Sequence, residues 1–378
     1  MLPEPSVPVR RPSSGLPVVV LSLLGGCLLP PQRPTGGATA AAEDPPALQV
    51  PALRAAAEAV PGGRRIGAAV AVQHLSLPAY RKTLAFHFNS VTPENDMKWA
   101  YVEPSPGQFS FRAGDELVAF AAENGMRVRG HALVWHTQLA SWVARLSGDA
   151  LRAALVRHVK GEAGHWKGKI AQWDVVNEAF ADGEVGDLRH DSPFTALGPG
   201  FIDEAFRAAH EADPAAQLFY NDYEIEGLGS VKAEAVFRMV GRMKAAGVPI
   251  DGVGFQMHVD PRRWPAADQI RRNLERFAAL GVAVELTEMD VPVGEIEGAD
   301  AQKLEQQRML THDIVAACVA VPQCSGITFW GFTDRYSWLN DPRWGALRGR
   351  LPHRPLPFDA DYRPKPMVAA IGEALAGR

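Results

Sequence analysis

Eight short runs rich in β-branched and aromatic residues, each followed by a longer amphipathic stretch, constrain this chain more than any other feature. They lie at 66–70, 90–93, 128–135, 170–177, 217–221, 253–258, 282–288 and 327–332. Strand signals that alternate with helix signals mark repeated βα units and a parallel sheet. Eight units favour closure over an open doubly wound sheet, so the expected fold is α/β, a single-domain (β/α)8 TIM barrel. The stretches between strands carry apolar stripes at helical spacing, such as Ile202, Ala205, Phe206 and Ala209, or Ile270, Leu274 and Phe277. Gly125, Gly247 and Gly281 follow such stretches, where left-handed residues end helices. No second domain or internal repeat is visible.

Composition removes several classes of function. A net charge of −4 with no basic stripe argues against a nucleic-acid partner. Nine Trp and 16 Phe exceed what a core requires, which leaves aromatic faces for a ligand. The first forty residues read as an export segment: Arg10 and Arg11 precede an apolar run over 16–29 that is too short to span a bilayer. Leu24-Gly25-Gly26-Cys27 resembles a bacterial lipoprotein cleavage box, which makes Cys27 a lipidation candidate and a membrane anchor. An ordinary signal peptide cut near Ala38-Thr39-Ala40 and a mis-assigned start codon are the alternatives. The expected location is secreted or on an outward-facing bacterial cell envelope, with 1–47 as leader and Pro/Gly/Ala-rich linker and 48–378 as the barrel. Cys318 and Cys324, around Val321-Pro322, either pair as a disulfide in an oxidising compartment or remain two buried thiols.

A barrel places its chemistry at the C-terminal ends of its strands. Polar residues gather there in seven consecutive units. Strand two runs into Thr92-Pro93-Glu94-Asn95-Asp96-Met97-Lys98-Trp99, strand three into His131 through Trp135-His136, and strand four into Asn177-Glu178. Strand five ends in Tyr220-Asn221-Asp222-Tyr223, strand six in Gln256-Met257-His258, strand seven in Glu288-Met289-Asp290, and strand eight in Trp330-Gly331-Phe332-Thr333-Asp334. Glu178 and Glu288, remote in sequence, are therefore expected to meet across the barrel mouth. Two carboxyl groups so placed suit a glycosidase, one donating a proton and one attacking carbon.

The strings Thr92 to Trp99, Trp173-Asp174-Val175-Val176-Asn177-Glu178-Ala179 and Glu285-Leu286-Thr287-Glu288-Met289-Asp290 resemble, in order, signature blocks of the family 10 glycoside hydrolases, the endo-β-1,4-xylanases. The resemblance covers residues 48–375. It implies a retaining double displacement with Glu178 as acid/base and Glu288 as nucleophile, their carboxyl groups about 5–5.5 Å apart. Two acids that close do not ionise together cheaply, so charge on Glu288 keeps the proton on Glu178 until Glu288 is esterified. The resemblance further implies His258 between Glu288 and Asp290, Gln256 beside Glu178, and Asn177 as donor to the sugar 2-hydroxyl. Trp135, Trp330 and Trp338 become aromatic walls, and Glu94, Asn95, Lys98 and His131 polar contacts on the non-reducing side. Gln138 and Tyr223 are further cleft candidates. The implied partners are xylan and xylo-oligosaccharides, with a monomeric enzyme and no cofactor.

Two features depart from the family pattern: Ala140 where many relatives carry Pro, and an Arg/Pro-rich loop over 340–357. A retaining barrel acting on glucan or mannan would share the two acids but not the whole Glu94-Asn95-Lys98 block. A surface protein that binds polysaccharide without cutting it would lack one of the acids. A metal site built from His131, His136 and His258 lacks a zinc-helix spacing and is not expected. A phosphate-binding barrel is disfavoured because no Gly-rich loop follows strands seven or eight.

Overall fold

A computed structural model describes residues 44–183, 186–294, 296–341 and 352–378. Cys27 and the leader to residue 43 lie outside the described residues, as does the centre of the 340–357 loop. Eight strands form a closed barrel in sequence order, every neighbouring pair parallel. They are β1 (Arg65–Val70), β2 (Ser90–Pro93), β3 (Arg127–Val134), β4 (Gln172–Asn177), β5 (Gln217–Asp222), β6 (Gly252–Phe255), β7 (Ala283–Met289) and β8 (Cys324–Phe329). Helices fill the connections, the longest being Gly148–His165 and Asp300–Val319.

The helical stripes face the barrel as their spacing requires. Ile202, Ala205, Phe206 and Ala209 are buried in one helix, and Ile270, Leu274 and Phe277 in another. Gly125, Gly247 and Gly281 take positive φ of 61°, 63° and 76° at helix ends. Burying each large apolar side chain contributes roughly 1.5–3 kcal/mol, so dozens of them offset the entropy of ordering the chain.

Three sequence expectations shift. Strand six stops at Phe255 instead of 258, because Met257 takes φ +63° and breaks the extended run. Strand eight starts at Cys324 instead of 327 and ends at Phe329, before Trp330. Pairing of Cys324 with Val284 and of Gly326 with Arg65 extends it through residues with weak strand propensity. The expected boundary at residue 47 falls inside the folded body: Pro46–Gln49 is a 3-10 helix, Ala47 is buried, and its carbonyl lies 2.8 Å from His87 Nε2. Cys318 and Cys324 form a disulfide that ties the end of a helix to the start of β8.

Candidate active site

Glu178 and Glu288 stand at the C-terminal end of the barrel, and one network of amide donors joins them. Asn177 and Asn221 are register partners at the ends of β4 and β5. Asn221 Nδ2 donates to Glu288 Oε1 at 2.7 Å and to Asn177 Oδ1 at 2.8 Å. Gln256 Nε2 donates to Glu178 Oε1 at 2.9 Å and lies 3.3 Å from Asn177 Oδ1. Asn177 Nδ2 donates to Glu178 Oε1 at 3.1 Å. Thr287 Oγ1 fixes the amide orientation of Asn221 by donating to its Oδ1 at 2.6 Å.

Beyond that network the two acids have different neighbours. Glu288 Oε2 accepts from His258 Nε2 at 3.2 Å, and His258 Nδ1 donates to Asp290 Oδ2 at 2.9 Å. Burial opposes charge on the His258 ring, but Asp290 and then Glu288 outweigh it and push its pKa up to about 10. The ring is therefore an imidazolium at neutral pH, and both nitrogens donate. Trp338 Nε1 donates to Asp290 Oδ2 at 2.8 Å. Glu178 Oε2 instead accepts from the neutral indole of Trp135 at 2.7 Å, with His136 Nδ1 at 3.9 Å.

The other predicted residues divide into those aimed at the acids and those that brace the walls. Lys98 Nζ is 4.6 Å from the Trp135 ring and 5.8 Å from Trp330, and contacts Asn95 Oδ1 at 3.4 Å. Burial lowers its pKa to about 8 against the pull of Glu288, Glu94 and Glu178. Gln138 donates to Asn95 Oδ1 at 3.0 Å, and burial raises the pKa of Glu94. His131 packs edge-on to Trp330 at 5.1 Å, its Nδ1 held 3.0 Å from Asp174 Oδ2. Burial would raise the Asp174 carboxyl, but Arg129 beside it holds it below its ordinary value. Tyr223 is not joined to the acids by a hydrogen bond: its hydroxyl donates to Asp182 and accepts from Arg189 at 3.1 Å. The three histidines of the metal alternative each have a separate carboxylate neighbour. Among the described residues, no group of three or more His, Cys, Asp or Glu side chains is arranged to hold a metal ion.

Sequence reasoning missed Asn221 as the donor that joins the acids, although its strand end was visible; the missing signal was register. It also missed Gly254, where a Cβ would stand 2.2 Å from Asn221 Oδ1 and 2.8 Å from Thr287. Only a residue without a side chain leaves Asn221 room to reach Glu288.

A closed parallel barrel with two acids joined by amides at its C-terminal mouth defines a hydrolase of the carbohydrate-cleaving barrel class. The comparisons narrow that class. The model of glycosyl hydrolase family 10 matches residues 52–374. The chain is 39% identical over 333 residues to a β-1,4-xylanase of Dictyoglomus thermophilum, covering 85% of this chain and 91% of that protein. Native xylanase 10B of Thermotoga maritima superposes with a TM-score of 0.79 at 39% identity, covering 86% of this chain and 98% of that one. Xylanase 10B of Thermotoga petrophila, solved with xylobiose, superposes with a TM-score of 0.79 at 40% identity, covering 86% and 97%. This chain belongs to glycosyl hydrolase family 10 and is a glycoside hydrolase.

Proposed function

We propose that the protein is an endo-β-1,4-xylanase that cleaves internal xylosidic bonds of xylan with retention, using Glu178 as acid/base and Glu288 as nucleophile. The supporting observation is the contrast between the acids: Glu288 accepts from an imidazolium, Glu178 from neutral amides and an indole. A positive neighbour favours the ionised form that an attacking carboxylate needs. In the first step a Glu288 oxygen bonds to the anomeric carbon, the bond to the glycosidic oxygen breaks, and that oxygen takes the proton of Glu178. Esterification removes the charge of Glu288. Water then attacks the same carbon, gives its proton to Glu178, and the Glu288 ester bond breaks. Asn177 supports a contact to the sugar 2-hydroxyl, and Trp135, Trp330 and Trp338 offer flat apolar faces for sugar rings.

Xylan is favoured over glucan or mannan because Glu94, Asn95 and Lys98 stand together beside Trp135 and Trp330, and because the matched relatives are named as xylanases. The proposal includes export or lipid anchoring and action as a monomer; the Cys318–Cys324 disulfide fits an oxidising compartment. The test compares reducing-sugar release from xylan, carboxymethylcellulose and mannan, with early-time proton NMR of the product. Preferential release from xylan as the β-anomer is expected. Preference for mannan or cellulose would overturn the substrate, and an initial α-anomer would overturn retention.

A further inference from the structure

We infer that Tyr220, Asp222 and Lys232 form a buried clamp that positions Glu178 for proton transfer. The inference rests on Glu178 being the acid/base. Glu178 has φ +55°, a left-handed conformation that a residue with a side chain holds only under strain. Neighbouring structure must therefore maintain it. The Glu178 N–H donates to the Asn221 carbonyl at 2.9 Å. The next N–H, on Ala179, donates to the Tyr220 hydroxyl at 3.0 Å, and that hydroxyl donates to Asp222 Oδ2 at 2.5 Å. A hydroxyl whose proton is committed to a carboxylate turns its lone pairs elsewhere, so Asp222 sets Tyr220 as the acceptor for Ala179.

Strand alternation separates this clamp from the acid network. Asn221 turns inward to Glu288, while Tyr220 and Asp222 turn to the other face of the strand, Asp222 toward the helix Val231–Ala245. There Lys232 Nζ faces Asp222 Oδ1 at 2.8 Å. Ser230 caps the helix by accepting from the Ala233 N–H at 3.1 Å, so Lys232 sits in a fixed first turn. The same ammonium lies 3.5 Å from Asp182 Oδ1 and 3.6 Å from the centre of the Tyr223 ring. One cation thus ties the segment after Glu178 to the end of β5. Tyr220, Asp222 and Lys232 are all buried. They are positioning residues, and a shift of the Glu178 main chain is the route by which their loss acts.

A carboxyl group moved off its target harms a reaction that needs its proton and spares one that does not. Tyr220→Phe removes only the hydroxyl. Its kcat/KM for xylotetraose should fall roughly 10- to 100-fold, with KM within about twofold, while kcat/KM for dinitrophenyl xylobioside, whose leaving group needs no proton, should stay within about threefold. Asp222→Asn should show the same discrimination more weakly, and it decides the matter if Tyr220→Phe does not fold. Equal losses on both substrates, or none on either, would overturn the clamp. Glu178→Gln is the reference: if it too fails to discriminate, the acid/base assignment falls, whereas discrimination there and not in Tyr220→Phe sinks the clamp alone.

Discussion

Glu288 and Glu178 share an amide network yet face different electrostatics. The β6 and β7 side of the mouth is ionic: Asp290 fixes an imidazolium, and the imidazolium fixes Glu288. Glu178 instead has neutral donors, Trp135 after β3, Asn177 at the end of β4 and Gln256 after β6, with His136 farther off. A neutral N–H donor bonds a carboxyl oxygen in either protonation state, whereas a fixed cation strongly prefers the anion. The two sets of neighbours match the proposed roles, a nucleophile beside a cation and an acid/base beside neutral donors.

The largest effects come from removing the acids themselves. Glu288→Gln should lower kcat/KM on the order of 10⁵-fold on both xylotetraose and dinitrophenyl xylobioside, since it removes the proposed nucleophile. Glu178→Gln should cost roughly 10²- to 10⁴-fold on xylotetraose but far less on the aryl glycoside. Steady-state kinetics on both substrates would break the comparison if the two variants behaved alike.

Next comes the cation that distinguishes the two sides. His258 titrates at about 10 in the folded protein against an ordinary 6.5, so its stabilising contribution is complete below pH 6.5 and is lost as pH rises toward 10. Removing one partner of a buried ion pair costs about 3–5 kcal/mol. His258→Gln should therefore lose about that much in urea unfolding at pH 6, and the gap to the unsubstituted protein should shrink by pH 10. Lys98, with its pKa lowered to about 8, works in the opposite sense over pH 8 to 10.5. It is present in both proteins, so the difference between them isolates His258. A gap that is constant with pH would remove the imidazolium from the account.

The smallest effect should come from the opposite end of the barrel. The disulfide joins Cys324, at the start of β8, to Cys318 and closes a short loop. A double Cys318→Ala, Cys324→Ala variant should lose about 2 kcal/mol of stability with kcat unchanged. A fall in kcat would mean that the two ends of the barrel are mechanically coupled.

Much of this was legible along the chain. Strand and helix patterns are local, and Ile270, Leu274 and Phe277 read as a buried stripe because helical geometry alone brings them together. Glu178, Glu288, His258 and Asp290 could be placed at strand ends because a barrel confines its chemistry there. The pairing of Asn221 with Asn177 could not be read, since register depends on which strands become neighbours. Tyr223 was legible as a strand-end aromatic but not as a partner of Asp182 and Arg189, which come from another loop.

The sequence by itself determined the alternation that closes eight strands, and it determined which side chains crowd the mouth, because both follow from spacing of about two or 3.6 residues. Tertiary structure alone decided that Cys318 and Cys324 bond instead of remaining thiols, that Gly254 leaves room for Asn221, and that His258 carries charge. The disulfide depends on how a helix end meets the start of β8, six residues on, and the other two on distances between atoms far apart along the chain; all of them are fixed only once the barrel has closed.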